Sequence, residues 1–273
     1  MLGRHFNINK NLLNTIKIAN EKFKVNCIQV FLKAPARYSF CKIKNFDEIN
    51  KYVTDNKLKL CSHSTYLCNL AKKGTDNKYF KMVIDDINCM YKLGGFGTVV
   101  HVGKSCKNDK KECFNNMIEN VKYILDSTEN GTFILETAAG QGTEMLVKIE
   151  EMAEFYNSFE EKYKNRIKFC IDTCHIFAAG YNLNSIEEIN LYFDTFDSLI
   201  GLNNVSVIHF NDSKCDCGTR KDRHESIGCG KIKLESLKYI YNKLNDLGIP
   251  IVLETKGTIS VEEEFKLVRS FKN

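Results

Sequence analysis

Apolar residues follow two rhythms along this chain. Short runs of β-branched and other apolar residues recur at Leu2 to Phe6, Asn26 to Leu32, Leu58 to Cys61, Thr98 to Val102, Thr132 to Leu135, Arg166 to Ile171, Val205 to Phe210 and Ile249 to Leu253. Each is too short for a helix and is bounded by Gly, Asn, Lys or Pro, as strands buried on both faces are. Between these runs the spacing turns helical. Ile186, Ile189, Phe193, Phe196 and Ile200 mark one stripe. Leu234, Leu237, Tyr241 and Leu244 mark another, which ends at Gly248, a C′ residue by its place. Ser260 with Glu263 three residues on is a capping box opening the last helix.

Eight strands alternating with helices predict a (β/α)8 barrel or a large doubly wound sheet. A faint repeat, Ile134-Leu135-Glu136-Thr137 against Val252-Leu253-Glu254-Thr255, favours the barrel. The only prolines are Pro35 and Pro250, and no Pro/Gly/Ser-rich stretch divides the chain, so a single domain over residues 1–273 is expected.

Composition removes several classes. The hydrophobic share of 43% and charged share of 27% are those of a soluble globular domain. The N-terminus has no apolar h-region, so no signal peptide is expected, and no apolar run approaches the roughly 18 residues of a membrane span. Twelve scattered cysteines without an export signal fit free thiols in a reducing, intracellular compartment. Cys215-x-Cys217 with Cys229 lacks the fourth ligand of a metal cluster. Gly94-Gly95-x-Gly97 precedes a strand rather than following one, against a dinucleotide fingerprint. A formal net charge of +5 agrees with a phosphate or nucleic-acid partner without demanding one.

Polar residues at strand ends change the picture. Strand three closes on His63, four on His101, five on Glu136, six on Asp172, seven on His209 and eight on Glu254. Their steady interval, close to one strand-plus-helix unit, brings all six to the same rim of a closed barrel, whereas an open sheet would spread them along an edge. The loops add His175, in Asp172-x-x-His175, and the pair Asp222-Arg223-His224, whose alternate residues share a side if extended. Any one of these is more economically read as a packed histidine or a rim salt bridge. Together they take five of six histidines and four carboxylates, which chance placement does not explain. Nine N/O donors exceed the needs of one ion and predict two or three, with imidazole favouring zinc and manganese the alternative. Phosphodiester hydrolysis uses such a cluster to activate water and polarise phosphoryl oxygens.

At these positions the chain resembles the endonuclease IV family of AP endonucleases, nearly end to end. The motifs are His63-Ser64-Thr65-Tyr66-Leu67-Cys68-Asn69-Leu70, Leu135-Glu136-Thr137-Ala138-Ala139-Gly140-Gln141-Gly142-Thr143, Cys170-Ile171-Asp172-Thr173-Cys174-His175, His209-Phe210-Asn211-Asp212-Ser213-Lys214, Asp222-Arg223-His224-Glu225-Ser226-Ile227-Gly228 and Leu253-Glu254-Thr255. The resemblance implies a TIM barrel with three zinc ions at its C-terminal rim. One would be held by His63, His101 and Glu136; a second by Glu136, Asp172, His209 and Glu254; the third by His175, Asp222 and His224. It also implies incision of double-stranded DNA 5′ to an abasic sugar, leaving a 3′-hydroxyl, with Glu136 as bridge and Glu254 orienting the nucleophile. Tyr66 and Leu67 match residues that enter the helix beside the lesion, and Arg37 and Arg223 are further candidate DNA contacts. The chain is expected to act as a monomer.

The sequence departs from the family pattern at Ala34, Ala36 and Tyr38 after the second strand, and at Val102 within His101-Val102-Gly103. Two other classes remain in play. A sugar isomerase or epimerase on the same barrel would use one metal held by Glu136, Asp172, His209 and Glu254, leaving five candidate ligands idle. A DNA-binding protein without catalysis would not need the intact ligand set.

Overall fold

Along the sheet strands, residues alternate between two separate apolar cores. A computed structural model describes residues 1–8, 11–74 and 78–272. Strands β1 (Leu2–Phe6), β2 (Cys27–Val30), β3 (Lys59–His63), β4 (Gly97–Val100), β5 (Phe133–Glu136), β6 (Ile167–Asp172), β7 (Val205–His209) and β10 (Ile251–Leu253) are all parallel. They close into a barrel in the order β1-β10-β7-β6-β5-β4-β3-β2. The fold is therefore a (β/α)8 TIM barrel, and the open-sheet alternative is excluded.

The helices lie between strands: α1 (Leu12–Glu21), α2 (Phe46–Asp55), α3 (Lys78–Lys92), α4 (Lys110–Asp126), α5 (Ile149–Asn157), α6 (Glu161–Lys164), α7 (Thr173–Ala179), α8 (Ile186–Leu199), α9 (Leu234–Asp246) and α10 (Val261–Arg269). Val100, Leu135, Ile171, Ile208 and Leu253 join the large core shared with them. Their neighbours Cys27, Val99, Ile134, Cys170, Val207 and Val252 form a second core in the barrel's interior. With both faces buried, the strands read as unbroken apolar runs.

Local signals set the element ends. Ser260 caps α10 with the expected reciprocal pairing to Glu263. Ile189, Phe193 and Phe196 of α8 are fully buried, as the stripe predicts. Leu234 opens α9 but is 44% exposed, so that stripe begins at Leu237. Gly3 is required where β1 meets β2, because a Cβ there would overlap the Cys27 carbonyl. Among the described residues, no helix is long and apolar enough to cross a membrane.

The sequence pattern does not announce one feature. Between β7 and α9 the chain forms a two-stranded antiparallel ribbon, β8 (Asp212–Ser213) with β9 (His224–Glu225). Asp212 holds its base, accepting from the backbone N–H groups of Ser213, Gly228, Gly230 and Ile232. The ribbon turns the long loop back over the barrel mouth.

Candidate metal centre

Two residues beyond the inner core on β4, β5, β6, β7 and β10, the interior becomes ionisable. His63, Glu136, Asp172 and His209 are the last residues of β3, β5, β6 and β7. β4 ends at Val100 and β10 at Leu253, so His101 and Glu254 follow them directly instead of being their last residues. Asp172 also caps α7, accepting from the His175 N–H at 2.9 Å, which seats His175 one turn above it. The ribbon delivers Asp222 and His224.

All nine predicted ligands meet. His63, His101 and Glu136 form one group; Glu136, Asp172, His209 and Glu254 a second; His175, Asp222 and His224 a third, with ligand atoms within 4.8 Å of one another in each. Glu136 belongs to two groups, with Oε2 2.9 Å from His101 Nε2 and 3.3 Å from His63 Nε2, and Oε1 2.7 Å from His209 Nδ1. Asp172 Oδ2 lies 3.4 Å from His224 Nε2 and so links the second group to the third. Glu136, Asp172 and His209 are almost fully buried, whereas the His101 and Asp222 side chains are each 36% exposed at the mouth.

Outer hydrogen bonds fix how the rings present. His63 Nδ1 donates to the Ser64 carbonyl at 3.0 Å and His175 Nδ1 to the Thr137 carbonyl at 2.8 Å, leaving both Nε2 atoms for the centre. His209 is reversed. Its Nε2 donates to Gln29 Oε1 at 2.8 Å and Nδ1 faces the carboxylates. Asn211 donates to Asp172 Oδ2 at 2.7 Å and accepts from the Glu254 N–H at 2.8 Å.

The charges hold one another. Burial opposes ionisation of Glu136, but the imidazoles of His101 and His209 keep its carboxyl well below the usual range. Burial likewise opposes ionised Glu254, yet the His209 imidazole lowers it strongly. For Asp222, His175 and His224 outweigh burial in the same direction. Burial works against the cationic rings too, but Asp172, Asp222 and Glu136 raise His175 well above its ordinary value. Asp172 and Asp222 raise His224 to about 9. A divalent cation competes with those protons for the same lone pairs.

The fit to metal ions rests on two orphaned atoms. His175 Nε2 and His224 Nε2 are buried and make no hydrogen bond, although Asp222 Oδ1 stands 3.3 and 3.2 Å away. Three donors converging at close range without hydrogen-bond geometry suit a shared cation.

The remaining expected residues lie outside these groups. Tyr66 is 55% exposed and stacks on the His101 ring, with centroids 5.6 Å apart at 26°. Leu67 beside it is half-buried. Arg223 is exposed, and its Nη1 donates to the Gln141 side chain at 3.3 Å. Arg37 is exposed on the loop after β2, with its backbone N–H closing a turn on the Ala34 carbonyl. Sequence reasoning missed His5 and Gln29. His5 Nδ1 lies 3.4 Å from Glu254 Oε1, and burial lowers its pKa. Its signal was available, because His5 sits near the end of β1 as the others do on theirs. Gln29 carried only the oddity of an amide inside an apolar run.

A family model described as Xylose isomerase-like TIM barrel matches residues 21–271, which defines the class. Within it, the chain is 31% identical to an endonuclease 4 of Acanthamoeba polyphaga mimivirus, covering 99% of this chain and 93% of that one. It is 36% identical to an endonuclease 4 of Buchnera aphidicola, covering 77% and 75%. The crystal structure of endonuclease IV from Thermus thermophilus superposes with a TM-score of 0.82 at 25% identity, covering 99% and 97%. The chain belongs to the endonuclease IV family.

Proposed function

We propose that the chain is a zinc-dependent AP endonuclease of DNA repair, hydrolysing the phosphodiester 5′ to an abasic sugar and leaving a 3′-hydroxyl. The relatives named endonuclease 4 support a nuclease. The observation that carries the reading is the gathering of nine N/O donors into three adjoining groups joined through Glu136 and Asp172. A sugar isomerase has no use for the third group. The imidazole-rich donor set favours zinc, with manganese able to replace part of it.

The residues that would hold the ions are His63, His101 and Glu136; Glu136, Asp172, His209 and Glu254; and His175, Asp222 and His224. When bound, such ions bring the pKa of a coordinated water toward neutrality and stabilise charge on phosphoryl oxygens. Glu136, by serving two groups, keeps them side by side. Glu254 is held by Gln29 at one oxygen, and its Oε2 stands 3.0 Å from His209, which fixes its aim as the residue orienting the nucleophile. Tyr66 and Leu67 enter the duplex at the lesion, where a missing base makes unstacking cheapest. Arg37 and Arg223 contact the DNA backbone. The chain acts as one domain and as a monomer, inside the cell, on double-stranded DNA.

A duplex carrying one tetrahydrofuran abasic analogue tests this directly. It is expected to be nicked on the 5′ side by protein carrying three zinc ions per chain, and not after chelation. One ion per chain with no nicking would overturn the reading in favour of sugar isomerisation.

A further inference from the structure

Gln29 lies in β2, fully buried, with His5 beside it in β1 and Cys61 beside it in β3. Every hydrogen-bonding position of its amide is in use. Nε2 donates to Glu254 Oε1 at 2.5 Å and to His5 Nδ1 at 3.1 Å. Oε1 accepts from His209 Nε2 at 2.8 Å and from the Cys61 thiol at 3.5 Å. Chemistry sets the orientation. The Glu254 carboxylate only accepts, so the amide NH2 must face it and the carbonyl must face His209. A half-turn of the amide would oppose acceptor to acceptor at Glu254.

His209 must then carry a proton on Nε2, which leaves Nδ1 directed at Glu136 Oε1 (2.7 Å) and Glu254 Oε2 (3.0 Å). His63 and His175 are oriented by backbone carbonyls, which no side-chain substitution removes. His209 depends on a side chain, and that side chain also grips a second candidate ligand.

We infer that Gln29 is a positioning residue of the metal centre: one amide holds His209 with Nδ1 free for an ion and holds Glu254 by its other end. The inference rests on the proposed reading that His209 and Glu254 ligate the same ion. Ligands without such outer partners bind metal more weakly, because the ring or carboxylate must be ordered at the moment of binding.

The test compares zinc-loaded wild type with Gln29→Leu, of similar volume, by competition with a chromophoric chelator. The ion held by His209 and Glu254 should weaken by roughly 10- to 100-fold while the other two remain as tight as in wild type. On the abasic duplex kcat should fall with KM unchanged, since Gln29 is buried in the barrel interior. Three affinities equal to wild type would overturn the inference, as would equal loosening of all three, which reports a general packing defect. A measurement on wild type covers the case in which the variant does not fold. Zinc-loaded, 15N-histidine-labelled protein should show an exchange-protected Nε2 proton on His209, and its absence would overturn the inference. Wild type binding one ion or none defeats the proposed function itself, whatever Gln29 does.

Discussion

Two adjacent layers inside the same barrel make opposite uses of burial. The lower layer, with Val99, Ile134, Cys170, Val207 and Val252, is apolar and closed. Two residues further along the same strands come His101, Glu136, Asp172, His209 and Glu254. Backbone and direction are shared, and only side-chain chemistry differs. The lower layer stabilises the barrel by removing apolar surface from water. The upper layer concentrates ionisable groups that are tolerable only because each is paired. Stability and candidate chemistry are thus stacked along each strand, so substitutions can address one without the other.

The largest expected effect is from Glu136→Gln, which leaves the fold intact but weakens the bridge between two groups. Nicking of the abasic duplex should fall by about a hundredfold to a thousandfold, comparable to removing a principal transition-state-stabilising group. Near wild-type cleavage would dissolve the distinction between the layers.

The next effect concerns pH and involves only the upper layer. In metal-free protein, His175 and His209 are raised well above 6.5 and His224 to about 9. Their stabilisation is complete below pH 6.5 and is lost as pH rises through those folded-state values. Glu136 and Glu254 are depressed below 4.5, so their contribution is present above 4.5 and lost as pH falls through their folded values. Thermal melts of metal-free protein should therefore peak between pH 4.5 and 6.5, while zinc affinity increases with pH as protons cease to compete. A stability maximum above pH 9 without metal would contradict the pairing.

Ile134→Ala, one inward step below Glu136, should reverse the pattern. It should cost about 2–5 kcal/mol in denaturant unfolding, as buried large-to-small changes do, and leave the zinc count at its wild-type value. The smallest effect is that of Tyr66→Ala, outside both layers. Binding of the abasic duplex should weaken roughly tenfold, within the about 1–3 kcal/mol of an aromatic–base stack, with metal content unchanged. Loss of zinc in that variant would mean that its ring contact with His101 supports the centre.

The barrel was legible because its strands are buried on both faces and its eight apolar runs are short and well separated. The gathering of the nine side chains was legible because histidine and carboxylate are rare where an apolar strand ends. What escaped depends on contacts distant in the chain. The β8–β9 ribbon has two residues per strand, too few for alternation to register, and it is organised by one carboxylate, that of Asp212. Gln29 meets His209 and Glu254 only across the closed barrel, so nothing near it in sequence shows the task. His5 carries the same signal as the other histidines but lies on the first strand, outside the motifs shared with the family.

Closure itself has a further consequence. β1 pairs with β10 through Leu2 and Ile251, Gly3 and Val252, and Arg4 and Leu253. At translation rates of roughly 5–20 residues per second, the first strand waits roughly 12–50 seconds for that partner. Without β10 the parallel sheet cannot close and keeps two unpaired edges, a template for pairing with another chain. A polypeptide ending shortly before Ile251 would keep both edges open and would lack Glu254, so the strand that closes the sheet also completes the mouth.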